Sequence, residues 1–159
     1  MPVSHADVLI KKYFIDPTTN RLSLPIDPFL IAEKEGVSVV PLEEGDRRLS
    51  GAVLPETKTI FYNPDDSRVR RRFTVAHELG HLCLNHGFAF RDPSQNFSRF
   101  HYDINEVEAN KFAAELLIPE AAIKILIDKR GITDAERLAK IFDVSLNAIS
   151  YRLKNIGYA

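Results

Sequence analysis

Cysteine occurs once in this 159-residue chain, at Cys83. No internal disulfide can form, which suits a reducing cytoplasm. An excess of charge of either sign is also missing. The 21 basic and 22 acidic residues leave a net charge of −1, which excludes a global attraction to nucleic acid or to an anionic membrane. No apolar run approaches the ~20 residues of a membrane span. The first ten residues contain Asp7 and lack a long apolar core, so no signal peptide is expected. Internal repeats, low-complexity tracts and obvious linkers are absent. What remains is 45% hydrophobic and 27% charged, the balance of one globular domain with a sizeable core. The expectation is a single cytoplasmic domain over residues 1–159.

The chain is punctuated clearly enough to place its elements. Ser4 is positioned to cap a helix reaching about Phe14, ended by Asp16-Pro17-Thr18-Thr19-Asn20. Pro25 to Glu35 reads as a second helix closed by Gly36, followed by a short strand from Val37 to Val40. Leu49–Leu54 and Thr59–Tyr62 are further strands, separated by Pro55-Glu56-Thr57-Lys58, and predict a small, mostly antiparallel sheet. A long helix follows the Asn63–Ser67 turn and runs to about His86. Its expected core residues are Val69, Phe73, Ala76 and Leu82, with Arg68, Arg70, Arg71 and Arg72 on the solvent side. Gly87–Phe100 has no clean period and reads as a loop. Ile104–Ile118 is helical, with Ala109, Phe112, Ala113, Leu116 and Leu117 on one apolar face. Pro119 opens the next helix, Gly131 ends it, and two short helices, 134–142 and 145–155, finish the chain.

The chemistry concentrates at His77-Glu78-Leu79-Gly80-His81. On a helix, positions i and i+4 lie about 40° apart, so both imidazoles leave one face and can hold one zinc ion. Glu78 then sits beside the metal without entering its coordination shell. A catalytic zinc needs a third protein ligand. A His ten residues after the first would serve, but that position is Gly87, and His86 falls one residue short. The other source is a carboxylate on the later helix. Glu106 has the spacing to Ala109 seen in zinc peptidases that take a downstream Glu, and it places Asn110 where an amide oxygen can hold a ligating His. Glu108 points about 160° away on the same helix and is the alternative. Zinc at this site would acidify its water and polarise a scissile carbonyl, Glu78 would act as base, and His101 or Tyr102 would be candidate oxyanion donors. Gly80 within a helix costs about 1 kcal/mol against Ala, which close approach of the second helix would explain. Cys83 lies around the helix from the ligands and reads as core.

Two long segments, Arg72–His81 and Glu106–Pro119, together resemble the ImmA/IrrE family of metallopeptidases. Leu24–Pro28 and Ile60–Asn63 add to the similarity, which covers roughly residues 24 to 155. The resemblance implies an α+β, zincin-like fold, with the small sheet packed on the helix of His77 and His81. Within a single metallopeptidase domain, the elements read along the chain place the first helices and sheet in residues 1–63, the zinc-site helices in 64–118, and a C-terminal, helix-turn-helix-like hairpin in 119–159. The same likeness makes His77, His81 and Glu106 the metal ligands and Glu78 the catalytic base. It further implies cleavage of helix-turn-helix repressors or antitoxins encoded nearby, in mobile-element induction, stress response and toxin–antitoxin control.

Two other readings stay open. One is a component of a toxin–antitoxin or repressor pair that binds its partner without cutting it. The other is a DNA-binding regulator, since Leu138–Ser145 and Ala148–Leu153 have helix-turn-helix spacing. Lys129–Ala159 holds six basic and three acidic residues, a thin excess for a DNA footprint, and a helical hairpin packing beside the catalytic region is favoured.

Overall fold

A computed structural model describes residues 4–86 and 96–158, with side chains from Ile104 onward in the second stretch. Its elements in order are α1 (His5–Phe14), α2 (Pro28–Lys34), β1 (Ser38–Pro41), β2 (Gly51–Leu54), β3 (Thr59–Tyr62), α3 (Arg68–Cys83), α4 (Asn96–Leu117), α5 (Glu120–Lys124), α6 (Ala135–Phe142) and α7 (Leu146–Asn155). Seven helices and a three-stranded sheet among the described residues make the fold α+β. These elements form two compact units, Pro28–Ala113 and Met1–Asp27 with Ala114–Ala159. None of the described helices is long and apolar enough to cross a membrane.

In the Pro28–Ala113 unit the sheet has the order β1-β3-β2. β2 and β3 pair antiparallel, Gly51 opposite Tyr62, through the tight Pro55–Thr57 turn, which ends with Lys58 in the left-handed region at φ 49°. β1 and β3 pair parallel, Ser38 opposite Thr59. The sheet is therefore mixed rather than mostly antiparallel. Residues 42–50 carry the chain past the central position to the far edge, and the hairpin then returns β3 between its neighbours.

Asn63 fixes the exit from β3. Its buried amide donates to the carbonyls of Arg47 at 2.7 Å and Leu49 at 2.9 Å, and its Oδ1 accepts from Asp65 N–H at 2.9 Å. Ser67 then caps α3, its hydroxyl accepting from Arg70 N–H at 3.3 Å. α3 lies against α2, β2 and β3, burying Val75, Ala76 and Leu79. Arg72 is only 6% exposed, contrary to its expected place on the solvent face, while Val69, Phe73 and Leu82 are half-buried. The core stripe is thus rotated from the expected one and takes in the whole of Arg72.

Of the loop expected at Gly87–Phe100, residues 87–95 lie outside the described residues. From Asn96 the chain is already helical, well before Ile104. No Gly or Pro interrupts Asn96–Asp103, so nothing in that stretch stops α4 from propagating N-terminally. Gly80 of α3 lies under the Phe112 ring of α4; a Cβ there would stand 2.9 Å from Phe112 Cδ1 and 3.1 Å from its Cγ. Gly51 is equally constrained, because a Cβ would overlap the Thr74 methyl and stand 2.8 Å from the Phe61 carbonyl.

The second unit is capped as its sequence predicts. Ser4, Asp134 and Ser145 accept from Asp7, Glu136 and Ala148 N–H groups at the starts of α1, α6 and α7. α5 continues into a π-helical turn, Ile125–Lys129, that ends at Gly131 with φ 68°. Arg152 donates from Nε to the Ile118 carbonyl at 2.9 Å, closing the C-terminal end of α4.

Replacing Gly80 by Ala gains helix propensity but forces Phe112 to move. Overpacking of this kind costs about 1–3 kcal/mol. A net loss is expected, lowering Tm by about 2–6 °C, and Phe112→Leu in the same chain should recover most of it. Thermal unfolding of the single and double variants measures both.

Candidate metal centre

α3 presents His77 and His81 from consecutive turns, with ring centroids 4.8 Å apart and Nε2 atoms at 3.2 Å. Glu106 enters from α4, its Oε2 standing 2.6 Å from His77 Nε2 and 3.2 Å from His81 Nε2. His81 is 1% exposed. Glu78, also buried, lies close to both histidines, with ligand-capable atoms of all three residues within 4.8 Å of one another. The backbone of β2 presses on that side, where a Cβ at Gly51 would stand 3.7 Å from Glu78 Cγ.

The outer ring nitrogens decide what the inner ones can do. His77 Nδ1 is 2.8 Å from Asn110 Oδ1, an atom that only accepts, so His77 carries its proton at Nδ1. His86 Nε2 is 3.4 Å from Glu108 Oε2, which again only accepts. His86 Nδ1 in turn stands 2.8 Å from His81 Nδ1, a contact in which one imidazole donates and the other accepts. When neither Nε2 carries a proton, both lone pairs face the Glu106 carboxylate. Three acceptors this close repel unless a cation lies among them.

The donor set fits a tetrahedral metal. Ligands at about 2.0–2.1 Å from zinc are about 3.3 Å from each other; the two separations to His81 Nε2 are 3.2 Å, while His77 Nε2 and Glu106 Oε2, at 2.6 Å, stand at hydrogen-bond length and would part slightly to admit an ion. A proton meets the same demand in the metal-free chain. Burial lowers the His77 pKa, but the hydrogen bond to Glu106 and the charges of Glu78 and Glu106 outweigh it, leaving the ring above its ordinary value. Burial opposes ionisation of Glu106, yet the hydrogen bonds and charges of the two imidazoles hold its carboxyl well below the usual carboxylate range.

The sequence-predicted residues thus divide. His77, Glu78, His81, Glu106 and Asn110 come together. Glu108 does not join them; it meets His86 instead, and its side chain is half exposed. His101 and Tyr102, expected on a rim before α4, have their backbone within that helix, and their side chains lie outside the described residues. Cys83, expected in the core, is half-buried. Burial first, then the charge of Glu35, pushes its thiol up to about 11.

His86 was legible only as the end of a helix. Its placement comes from the helix cap. Asn85 adopts φ 60°, its N–H donates to the Leu82 carbonyl at 3.1 Å, and His86 N–H donates to the His81 carbonyl at 2.9 Å. This paired closure turns the chain back, and His86 lands over the residue whose carbonyl it caps. The available signal was Asn85, a residue favoured in the left-handed cap position.

The IrrE N-terminal-like domain family, Peptidase_M78, matches residues 32–154. The chain belongs to the ImmA/IrrE family of metallopeptidases. Within that family it is similar to the radiation response metalloprotease IrrE of Deinococcus radiodurans, 31% identical over 128 residues, covering 78% of this chain and 38% of that protein. The IrrE of Deinococcus deserti is 31% identical over 123 residues, covering 75% of this chain and 43% of that protein. An uncharacterized immunity region protein 2 of Bacillus phage phi105 is 33% identical over 113 residues, covering 70% and 65%. The chain spans about two fifths to two thirds of the length of these relatives. Among solved structures, a Mycobacterium tuberculosis transcriptional regulator shares the fold at a TM-score of 0.61 and 19% identity, over 79% of this chain and 39% of that one. Membership in a family of metallopeptidases, with His77, Glu78 and His81 grouped as found, implies that this site takes a metal ion.

An ion held by His77 would compete with a proton for the same ring nitrogen. Because the His77 pKa is raised, the competition begins above pH 6.5 and strengthens as pH falls. Zinc affinity is expected to drop about tenfold per pH unit below the His77 pKa, with about one proton released per ion bound. Calorimetric titration in two buffers of different ionisation enthalpy measures that proton directly.

Proposed function

We propose that this chain is a zinc-dependent endopeptidase acting on a DNA-binding, helix-turn-helix repressor or antitoxin. The observation that carries the reading is the convergence of His77 Nε2, His81 Nε2 and Glu106 Oε2 beside a buried Glu78. Two imidazoles and one carboxylate form a donor set suited to zinc. In this reading His77, His81 and Glu106 hold the ion, and Asn110 orients His77.

Zinc, when bound, polarises a peptide carbonyl and allows water to attack it near neutral pH. Glu78 accepts the proton of the attacking water and delivers it to the departing amine nitrogen. Its burial keeps it from bulk water and strengthens that exchange. A donor from His101 or Tyr102 would stabilise the oxygen of the tetrahedral intermediate.

The substrate class rests on the relatives. Two are named radiation response metalloproteases, and a third is named an immunity region protein of a phage; a repressor or antitoxin is the substrate class we infer for such settings. A DNA-bound target places the reaction in the cytoplasm. Direct DNA binding by the C-terminal helices is less favoured, because Lys129–Ala159 carries only a thin basic excess and Arg152 already gives its Nε–H to the Ile118 carbonyl.

Protein purified without added metal is expected to carry close to one zinc per chain. Glu106→Gln should lose it, while Glu108→Gln should retain most of it. Glu78→Gln should keep the zinc and still bind the repressor, yet cleave it 10²–10⁴-fold more slowly. Elemental analysis and a gel-based cleavage assay on neighbouring repressors read these outcomes. Undiminished cleavage by Glu78→Gln would remove its assigned role, and stable binding by wild type without cleavage would favour the non-proteolytic partner.

A further inference from the structure

We propose that His86 and Glu108 are positioning residues that fix the proton of His81 on Nδ1 and so keep its Nε2 available to the metal. The proposal rests on the reading of His81 as a ligand. An imidazole binds a metal only through an unprotonated nitrogen, and a neutral histidine chooses between two. For His77 the choice is made by one acceptor, Asn110 Oδ1 at 2.8 Å. For His81 the partner is another imidazole, His86 Nδ1 at 2.8 Å, which can donate or accept. Two imidazoles alone set no direction for that contact, so a group that polarises His86 biases it. Glu108 does so from the far side, its Oε2 accepting from His86 Nε2–H at 3.4 Å.

The order of protons along Glu108–His86–His81 then follows. Reversal would point Nε2–H of His81 at Glu106 and His77 and close the site to a cation. Water offers little substitute at the inner contact, because the side chains of His81 and His86 are 1% and 6% exposed. The backbone supports the same arrangement, since the Asn85 turn that caps α3 is what carries the His86 ring over His81. Glu108, which lies away from the ligand cluster, thereby acquires a role that its own helix face does not suggest.

Zinc affinity, measured by competition with a chelating dye at fixed pH, tests the relay. His86→Leu should weaken zinc 10–100-fold. His86→Asn places an amide oxygen near the position of the lost Nδ1 and should restore most of the affinity. Glu108→Ala should weaken zinc severalfold in the wild-type chain but have no effect in His86→Asn, where the relay no longer needs polarising. In zinc-loaded, nitrogen-15-labelled protein, a coupling across the hydrogen bond should connect His81 Nδ1 with His86 Nδ1. Zinc binding by His86→Leu within twofold of wild type, or equal effects of Glu108→Ala in both backgrounds, overturns the relay alone. Failure of wild type to bind zinc overturns the metal site and the relay with it. Should His86→Leu not fold, the Glu108→Ala comparison and the coupling decide the matter.

Discussion

Mutual repulsion among three lone-pair donors is the constraint on which this site depends. His77, His81 and Glu106 are held with their acceptor atoms within about one hydrogen-bond length of each other, an arrangement that only a cation makes favourable. The fold must keep them there against that repulsion until the cation arrives. The raised His77 pKa and the depressed Glu106 pKa are the metal-free expression of the same force, with a proton drawn to where the metal belongs.

The surrounding packing keeps the helices from relaxing apart. Gly80 lets Phe112 sit directly on α3, which brings α4 close enough for Glu106 and Asn110 to reach the imidazoles. Gly51 lets β2 approach on the other side, against Thr74 and near Glu78. Asn63 ties the 47–50 segment to the start of α3, so the helix leaves the sheet in a fixed direction. Each is a backbone approach or a buried polar anchor, and none offers chemistry of its own. The centre is confined from two sides by residues too small to be pushed away.

Much of this was legible because it is local. Ser4, Ser67, Asp134 and Ser145 announce helix starts through side chains that bind their own backbone, and the structure has each of them doing so. The i, i+4 spacing of His77 and His81 and the apolar face of Ala109, Phe112 and Ala113 are likewise properties of one helix. What escaped depends on distant partners or on a turn. The parallel pairing of β1 with β3 follows from a crossover that no local pattern encodes. Arg72 is charged, so a hydrophobic period assigns it to solvent although it is buried. His86 required both the left-handed conformation of Asn85 and knowledge of where Glu108 would stand.

Glu106 and Asn110 repeat, on α4, the four-residue interval that separates His77 from His81 on α3. Two matched intervals meet face to face, and this makes the centre discrete. A slip of either helix by one residue would swing its pair through about 100° and withdraw both members together. No partly assembled arrangement is reachable by small backbone shifts, because neighbouring registers present unrelated side chains. Sequence change can therefore tune such a centre by substitution around it, while a single inserted or deleted residue between the paired positions erases it whole.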